Sequence, residues 1–356
     1  MKVDLRTPPS QPVAEVVRFA QRCEEAGFSG CGFNDAQMFF RDPFVVMSQV
    51  LQNTTTLRVH PALTCPGPRH TSVIASSAKT VQEFGPDRFE LWLGRGNAAP
   101  RMVGLPQLRV GEMRDAINKM RAFMAGEWNV YQPAEADSDR VRLHHGGGTP
   151  VPIYLAARGP MVTRLAGELC DGALLTCPPT PDGIGKARGW LAEGAARVGR
   201  QVADIHEVVE VRCLVRPTRH QAVRAWSPNL IPILARPTGE QWLGERGIEY
   251  DIAPIRQAVQ ESYSKLQTMY ADVQHVEDWD AAEGLAEAIP FELQAAMGDR
   301  MAVLGDPDQV ANHMLMLSGI GVRHIYMYAV ETFRLPEPER QGFHEVIAKA
   351  LANTPG

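Results

Sequence analysis

Four short segments of the 356-residue chain combine polar or charged side chains with glycine or proline in a way that suits ligand binding or proton transfer. They span residues 34–37, 64–70, 94–97 and 156–163. Each follows a short apolar run of the length expected for a buried strand. Because loops at strand ends are held by the sheet and stay open to a ligand, these segments are the first candidates for a site.

The segment around Gly159 predicts an anion site. A strand that ends in Ala157 is followed by Arg158 and Gly159, and Pro160 occupies the first position of the next predicted helix. The free N–H groups of that first turn and the helix dipole favour a phosphate or carboxylate, to which Arg158 adds charge and Thr163 a hydroxyl. A tight turn between strand and helix is the alternative, and the same residues suit it equally well.

The segment Gly94-Arg95-Gly96-Asn97 formally matches the glycine pattern of dinucleotide-binding loops. It follows the fourth predicted strand rather than the first, and Pro100 interrupts the helix that such a loop requires. We therefore interpret the glycines as letting a ligand approach the backbone, with Arg95 facing a phosphate or a ring carbonyl.

Two further loops supply acid–base candidates. His70 ends a proline-rich run and can act as a general acid or base, or can cap the helix that begins after it. Asp35 and Gln37 follow the second strand, where a carboxylate and an amide can contact a substrate or ring nitrogens; a helix-capping aspartate is the alternative. We take His70, Gln37 and Asp35 as the catalytic candidates.

The composition argues against several classes of protein. Basic residues (36) and acidic residues (41) are interspersed, so the basic footprint of a nucleic-acid-binding protein is not expected. No apolar run has the length of a membrane span, and Met1–Arg6 carries charges where a signal peptide is apolar. The six cysteines form no Cys-x-x-Cys pair. We expect a cytoplasmic protein without a metal site, and without a nucleic-acid or membrane partner.

The elements that must position these loops alternate between strand and helix. Eight predicted strands are each followed by a helical pattern, which favours a (β/α)8 (TIM) barrel over a doubly wound sheet. The strands are expected at 3–5, 30–33, 57–63, 88–93, 152–155, 172–176, 206–215 and 324–328. Since a barrel of this kind carries its site at the carboxyl ends of its strands, the four segments should meet there.

Residues 217–303 do not follow this alternation. They show helical patterns over 255–269 and 281–296 without a clear strand, so we predict an insertion between strands 7 and 8 of a single domain spanning 1–356. Such an excursion is the natural lid and substrate-selecting surface of a barrel. A barrel needs about 250 residues, and the insertion accounts for most of the surplus.

Taken together, the segments resemble the bacterial luciferase-like superfamily, and most closely its branch of deazaflavin-dependent methylenetetrahydromethanopterin reductases. The matching pieces occur in the family's order and cover nearly the whole chain. They lie at 35–37, 41–44, 69–70, 87–89, 94–97, 152–160, 165–168, 171–172, 305–307 and 319–322. In combination they are specific for the family, and they carry little information about the substrate.

The resemblance implies a barrel that binds reduced FMN or the deazaflavin coenzyme F420 at its mouth. It implies a cis peptide bond close to Leu63-Thr64-Cys65 and phosphate contacts from Arg95 and from the start of the helix at Pro160. The residues to which we assign cofactor binding are Leu63, Thr64, Cys65, Arg95, Gly96, Asn97, Ala157, Arg158, Gly159, Pro160 and Thr163. The resemblance also implies serine at the position of Ala36 in many relatives and a histidine near it in other branches. Since Ala36 can do neither task, an acid–base role there passes to Gln37 or His70.

Three functions are compatible with the resemblance. The first is a monooxygenase that uses O2 and reduced FMN, supplied by a separate flavin reductase, on a small organic substrate. The second is an F420-dependent reductase or dehydrogenase. The third is a non-catalytic relative that binds flavin, which Ala36 keeps open. Because family members are often dimers, we expect a homodimer or a larger homo-oligomer.

Overall fold

The computed structural model describes residues 1–130, 140–269 and 275–352. Eight parallel strands form a barrel and are labelled β1 to β8 in chain order. They are β1 Lys2–Thr7, β2 Gly30–Phe33, β3 Arg58–Pro61, β4 Leu91–Leu93, β5 Ile153–Ala157, β6 Gly172–Leu175, β7 His206–Val215 and β8 His324–Tyr328. They pair in the order β3-β2-β1-β8-β7-β6-β5-β4, and isolated bridges join the β3 and β4 ends so that the barrel is nearly closed. The predicted barrel is confirmed.

Helices cover the outside of the barrel and connect its strands. The longer ones are Val13–Glu25, Pro43–Asn53, Thr71–Gln82, Val110–Met124, Pro160–Leu169, Pro181–Arg197 and Pro307–Gly319, and a short turn of helix, Ala98–Arg101, follows β4. Four of them begin with proline, whose fixed φ suits the first helical position and whose missing N–H is not needed there. Proline thus marks the start of these four helices in the sequence.

The residues between β7 and β8 form a helical excursion with a hydrophobic core of its own around Trp226 and Trp279. Its helices are Arg219–Trp226, Ile231–Leu234, Gly239–Gly244, Arg256–Met269, Trp279–Leu285 and Phe291–Met301. The single helix predicted over 281–296 is wrong, because Pro290 cannot continue a helix and separates two shorter ones. A short strand that the pattern did not predict, Val303–Gly305, ends the excursion and pairs with β7.

The remaining elements pack beside the barrel. Two short strands, Asn129–Val130 and Arg140–Val141, pair antiparallel after the helix that ends at Met124. The chain closes with helical turns over Glu337–Gly342, Phe343–Ile347 and Ala348–Ala352. Among the helices that the structure describes, none is long and apolar enough to cross a bilayer.

The amino-terminal layer of the barrel interior is an ionic network. The buried Asp4 carboxylate lies 2.9 Å from Arg58 and 3.0 Å from His324, and Arg58 also pairs with Glu90 at 2.8 Å. Burial alone raises the pKa of the Asp4 carboxyl. Contacts with His324, His60 and Arg58 outweigh that effect and hold the pKa well below its usual value.

An aromatic layer lies above this network. His60 stacks on Trp92 with ring centroids 3.5 Å apart, and Tyr154 and Tyr326 pack against the same indole at 5.4 and 5.5 Å. In strand order these residues lie between the ionic network and the carboxyl ends of the strands. The layer therefore separates the buried charges from the mouth of the barrel.

Candidate active site

A cavity of about 600 Å³ opens at the carboxyl ends of the barrel strands. Residues at or after the carboxyl ends of β2, β3, β4 and β5 form one side of it, and residues at or after the carboxyl ends of β1, β6, β7 and β8 form the other. A volume of this size is typical of sites that enclose a cofactor or a small substrate. We call this cavity the mouth.

Small residues form the side of the mouth that belongs to the loops after β2 to β5. This small-residue wall consists of Ala36, Ala62, Gly94, Gly96, Ala99 and Ala156. A Cβ at Gly96 would lie 2.5 Å from the Cys65 sulfur, and Gly96 has a φ of 84°, so only glycine suits the position. At Gly94 a Cβ would lie 3.0 Å from Leu63. The wall is therefore closely packed behind and presents backbone and methyl groups to the cavity.

The peptide bond between Ala62 and Leu63 is cis. It lies at the edge of the segment for which the resemblance implied such a bond, one residue before Leu63-Thr64. Both Ala62 and Leu63 line the mouth.

The helix Pro160–Leu169 begins beside the small-residue wall. Gly159 precedes it with a φ of 76°, and no side chain of the described residues caps its first turn. Arg158 lines the mouth at this point. The buried Thr163 hydroxyl donates a hydrogen bond to the Gly159 carbonyl oxygen at 2.7 Å and so holds the turn. Uncapped N–H groups next to an arginine make this end of the mouth suitable for a phosphate.

The proposed cofactor residues divide into two groups. Leu63, Cys65, Arg95, Gly96, Asn97 and Arg158 line the mouth. Thr64, Ala157, Gly159, Pro160 and Thr163 lie behind that lining and build the loops that carry it. Arg95 is fixed by its Nε, which donates to the Leu108 carbonyl oxygen at 2.6 Å.

Asp35 lines the mouth, but both of its carboxylate oxygens are engaged. Arg69 donates to them at 2.8 and 3.1 Å, and the Thr64 hydroxyl donates at 2.7 Å. Arg69 also reaches Asp42, the cap of the helix Pro43–Asn53, at 2.8 Å. Asp35 thus joins the loops after β2 and β3, and its bonds to Arg69 and Thr64 occupy both carboxylate oxygens.

The structure places the other two catalytic candidates outside the mouth. The Gln37 side chain is exposed and donates to the Ala99 carbonyl oxygen at 3.1 Å. His70 caps the helix Thr71–Gln82, since its Nδ1 accepts from the Ser72 backbone N–H at 3.3 Å. Its side chain lines a second cavity of about 470 Å³ against the antiparallel strand pair. Of the two roles that the sequence left open for His70, the geometry shows the helix cap.

The opposite side of the mouth carries charge. This charged wall consists of Arg6 on β1, Thr176 after β6, Glu210 and Arg212 on β7, and Tyr328 on β8. None of these residues is among the site residues predicted from the sequence. A signal was present, because charged residues alternate with apolar ones near the carboxyl ends of β1 and β7, and alternate residues of a barrel strand face the interior.

Two guanidinium groups flank the Tyr328 ring in the charged wall. The Arg6 guanidinium lies 4.5 Å from the ring centroid and that of Arg212 lies 5.8 Å from it. Arg6 is held from below, donating to the Ala329 carbonyl oxygen at 2.7 Å and to the Thr332 hydroxyl at 3.2 Å. Contacts between cations and a ring face are favourable and fix the orientation of the phenol.

Glu210 lies between the two other polar members of this wall. The Nε of Arg212 is 3.5 Å from one carboxylate oxygen, and the Thr176 hydroxyl is 3.5 Å from the other. Both contacts are long, so the carboxylate is oriented without being locked. This contrasts with Asp35, which three short hydrogen bonds hold.

Aromatic side chains cover the outer edge of the mouth. Phe39 stacks on His275 with ring centroids 4.3 Å apart, and Phe40 lies 5.7 Å from Phe333. They join the loop after β2, the excursion and the loop after β8. Such a cover excludes water from a ligand below it.

The mouth fits the flat ring and the phosphate of a flavin or deazaflavin. The small-residue wall can accept a flat ring in contact, and the start of the helix Pro160–Leu169 suits the phosphate. The buried side-chain oxygen of Asn34, which lines the mouth, has no hydrogen-bond partner among the described residues. An unpartnered buried acceptor requires a donor, and the ring system of these cofactors carries an N–H at its edge.

Comparison with curated proteins identifies relatives that are oxidoreductases. A 5,10-methylenetetrahydromethanopterin reductase of Methanolobus tindarius is 28% identical over 55% of this chain, which spans 60% of the length of that relative. An F420-dependent glucose-6-phosphate dehydrogenase of Beutenbergia cavernae is 27% identical over 84% of this chain and 75% of its own length.

Comparison with solved structures supports the same fold. The coenzyme F420-dependent tetrahydromethanopterin reductase of Methanopyrus kandleri superposes with a TM-score of 0.74 at 18% identity, covering 98% of this chain and 99% of the other. The FMN complex of the oxygenating constituent of 3,6-diketocamphane monooxygenase from Pseudomonas putida gives 0.65 at 14% identity, covering 98% of each chain. The family model described as luciferase-like monooxygenase matches residues 2–324. Because this match covers most of the chain, the protein belongs to the luciferase-like monooxygenase family.

Proposed function

We propose that this protein is an F420-dependent oxidoreductase that transfers a hydride between the deazaflavin and a small organic substrate. The observation that carries the proposal is the mouth itself. It combines a small-residue wall, the unpartnered acceptor of Asn34 and an uncapped helix start beside Arg158. The comparisons support F420 as the cofactor, since the glucose-6-phosphate dehydrogenase of Beutenbergia cavernae and the reductase structure of Methanopyrus kandleri are both F420-dependent by name.

The order of the two cofactor hypotheses changes with these comparisons. The sequence placed reduced FMN and O2 first and F420 second. The F420-dependent relatives favour the second hypothesis, whereas the likeness to an FMN monooxygenase at 14% identity concerns the fold. The FMN–O2 reaction with a separate flavin reductase is therefore the second candidate. The non-catalytic hypothesis has no support from the relatives, which are oxidoreductases.

Each part of the mouth then has a task. Bound F420 supplies a two-electron hydride transfer. Asn34 accepts from the ring edge, while Arg158 and the helix start hold the phosphate. The aromatic cover, which includes Phe40, keeps water from the reacting atoms. The substrate is held between the ring and the charged wall, which supplies the polar groups that orient it.

We further propose that the enzyme is cytoplasmic and forms a homodimer or a larger homo-oligomer. All six cysteines are unpaired, as in proteins of a reducing compartment. Light scattering coupled to size-exclusion chromatography tests the assembly. A monomeric mass at working concentrations would contradict it.

Fluorescence titration with F420 and with FMN tests the cofactor. We expect F420 to bind at least about tenfold more tightly than FMN, equivalent to about 1.4 kcal/mol. Binding of FMN alone, with O2 uptake in the presence of reduced FMN, would move the FMN–O2 reaction back to first place. Failure to bind either cofactor would reject both.

A further inference from the structure

Hydride transfer to or from a carbon–oxygen bond also requires a proton at the oxygen. We propose that Glu210 is the acid–base residue of this reaction. The inference rests on the proposed function and extends it. It assigns the proton transfer to a side chain on β7, which lies outside the four loop segments selected from the sequence.

The loops on the other side of the mouth do not offer such a group. Ala36 and Asn97, at the ends of β2 and β4, do not ionise. Asp35 is held by Arg69 and Thr64 at both oxygens. Burial, with a smaller contribution from the Asp35 charge, raises the pKa of the Cys65 thiol to about 12, so it does not exchange protons readily near neutral pH.

Three titratable side chains of the described mouth remain, apart from the arginines, which stay protonated. His275 is stacked on Phe39 in the aromatic cover, at the outer edge of the cavity. Tyr328 is flanked by the guanidinium groups of Arg6 and Arg212. Glu210 is on a continuous strand that pairs with β6 and β8, where its carboxylate is accessible from the cavity.

The position of Glu210 meets the geometric needs of proton transfer. Its side chain is 12% exposed, enough to reach a ligand, and it is oriented from two sides by Arg212 and Thr176. Neither contact is as short as the bonds that occupy Asp35, so one oxygen can turn towards a substrate hydroxyl or carbonyl. The strand beneath it is rigid, which holds the carboxylate in one place.

The reaction balances with this assignment. In the oxidising direction the substrate O–H bond breaks and its proton passes to the Glu210 carboxylate. The C–H bond breaks, its hydrogen leaves with both electrons to oxidised F420, and the carbon–oxygen double bond forms. In the reducing direction the carboxyl returns the proton to the carbonyl oxygen as hydride arrives at carbon. The proton of Glu210 exchanges with water through the mouth between turnovers.

Three variants of the full-length protein test the inference. Glu210→Gln keeps the shape and removes the ionisable group, and Glu210→Ala makes room for an added carboxylic acid. Glu207→Gln is the matched control: it lies on the same strand, pairs with Arg188 at 2.7 Å, and is not part of the mouth. The affinity of each variant for oxidised F420 is measured by titration. The rate of F420 reduction is then measured with propan-2-ol as the substrate and, in a separate reaction, with glucose 6-phosphate.

We expect Glu210→Gln to bind F420 within about twofold of the wild type and to transfer hydride at least about 100-fold more slowly. Added formate should restore at least about tenfold of the rate in Glu210→Ala, which a structural defect would not allow. Glu207→Gln should keep the wild-type rate within about twofold. An undiminished rate in Glu210→Gln, or a loss of F420 affinity of tenfold or more, would overturn the assignment. A 100-fold loss in Tyr328→Phe or His275→Asn with Glu210→Gln unaffected would transfer the role to that residue.

If neither propan-2-ol nor glucose 6-phosphate reacts, a measurement without turnover still tests the role of Glu210. In protein labelled with ¹³C at the glutamate carboxyls, the Glu210 resonance is the one missing from Glu210→Gln. It should shift when oxidised F420 is added, while that of Glu207 should not, because Glu210 lines the mouth and Glu207 does not. A Glu210 resonance that ignores F420 refutes the inference. Failure of the wild type to bind F420 is a different result, since it removes the proposed function itself.

Discussion

The two sides of the mouth are built in different ways. The small-residue wall is made of loop backbone, with Gly94 and Gly96 packed against Leu63 and Cys65. The charged wall is made of side chains that project from strands, and β7 alone contributes Glu210 and Arg212. A surface made of backbone selects a ligand by its shape. Acidic and basic side chains bind the polar groups of a ligand and can transfer protons. We therefore assign cofactor binding to the first wall and the chemistry particular to this protein to the second.

A cluster of charged residues in this barrel is not by itself a functional surface. The Asp4 network can be used to test this statement. It lies below the aromatic layer and is closed to the mouth. We expect Asp4→Asn to reduce the free energy of unfolding by about 4 kcal/mol, because Arg58 and His324 lose their buried partner. Chemical denaturation measures this loss of stability. The affinity of the folded protein for F420, measured by fluorescence titration, should stay within about twofold of the wild-type value.

The pH dependence of the same variant gives the sign of the effect. The pKa of Asp4 is lowered in the folded chain, so the ionised carboxylate stabilises the fold at pH values above its unfolded pKa of about 4. That contribution is lost as the pH falls through the lowered folded value. The difference in stability between wild type and Asp4→Asn should therefore be constant near neutral pH and shrink below about pH 4. A difference that grows on acidification would contradict this account.

Adding a methyl group to the small-residue wall should weaken cofactor binding strongly. In Gly96→Ala the new methyl group meets the Cys65 sulfur at 2.5 Å, and the φ of 84° is unfavourable for alanine. We expect the F420 dissociation constant to rise about 100-fold, or about 2.7 kcal/mol. Gly104→Ala is the control, since Gly104 has a φ of 73° with nothing within 4 Å of its added Cβ. Equal losses of affinity in both variants would mean that backbone strain, and not the wall, governs binding.

Removing the charge at the phosphate end should have a smaller effect. Arg158→Ala deletes one charge-assisted contact, for which we expect a loss of F420 affinity of about tenfold, or about 1.4 kcal/mol. The stability should hardly change, because Arg158 is exposed. Arg164→Ala on the same helix is the control, as Arg164 pairs with Glu193 outside the mouth. If the two variants bind F420 equally well, the phosphate does not lie at this helix start.

The same division explains what the sequence could predict. Glycine and proline leave local signals, so the small-residue wall and the helix start at Pro160 could be located from residue types alone. The charged wall has a weaker signal, the alternation of charged and apolar residues on β1 and β7, and that pattern does not show which residues meet. Arg6 and Tyr328 are more than 300 residues apart and meet only when β1 pairs with β8. The eight strands could be predicted because each has its own apolar pattern. The role of Asp35 could not be predicted, because its partner Arg69 lies in a different loop, the one after the next strand.

His70 gives the smallest expected effect and separates the two roles that its position in the sequence allows. As the cap of the helix Thr71–Gln82 it contributes about 1 kcal/mol at most, since its Nδ1 accepts from the Ser72 N–H. We expect His70→Ala to lose about that much stability and to keep the wild-type rate of hydride transfer. Thr180→Ala removes another cap, that of the helix Pro181–Arg197, and should behave in the same way. A tenfold loss of rate in His70→Ala that Thr180→Ala does not share would bring His70 back into the site.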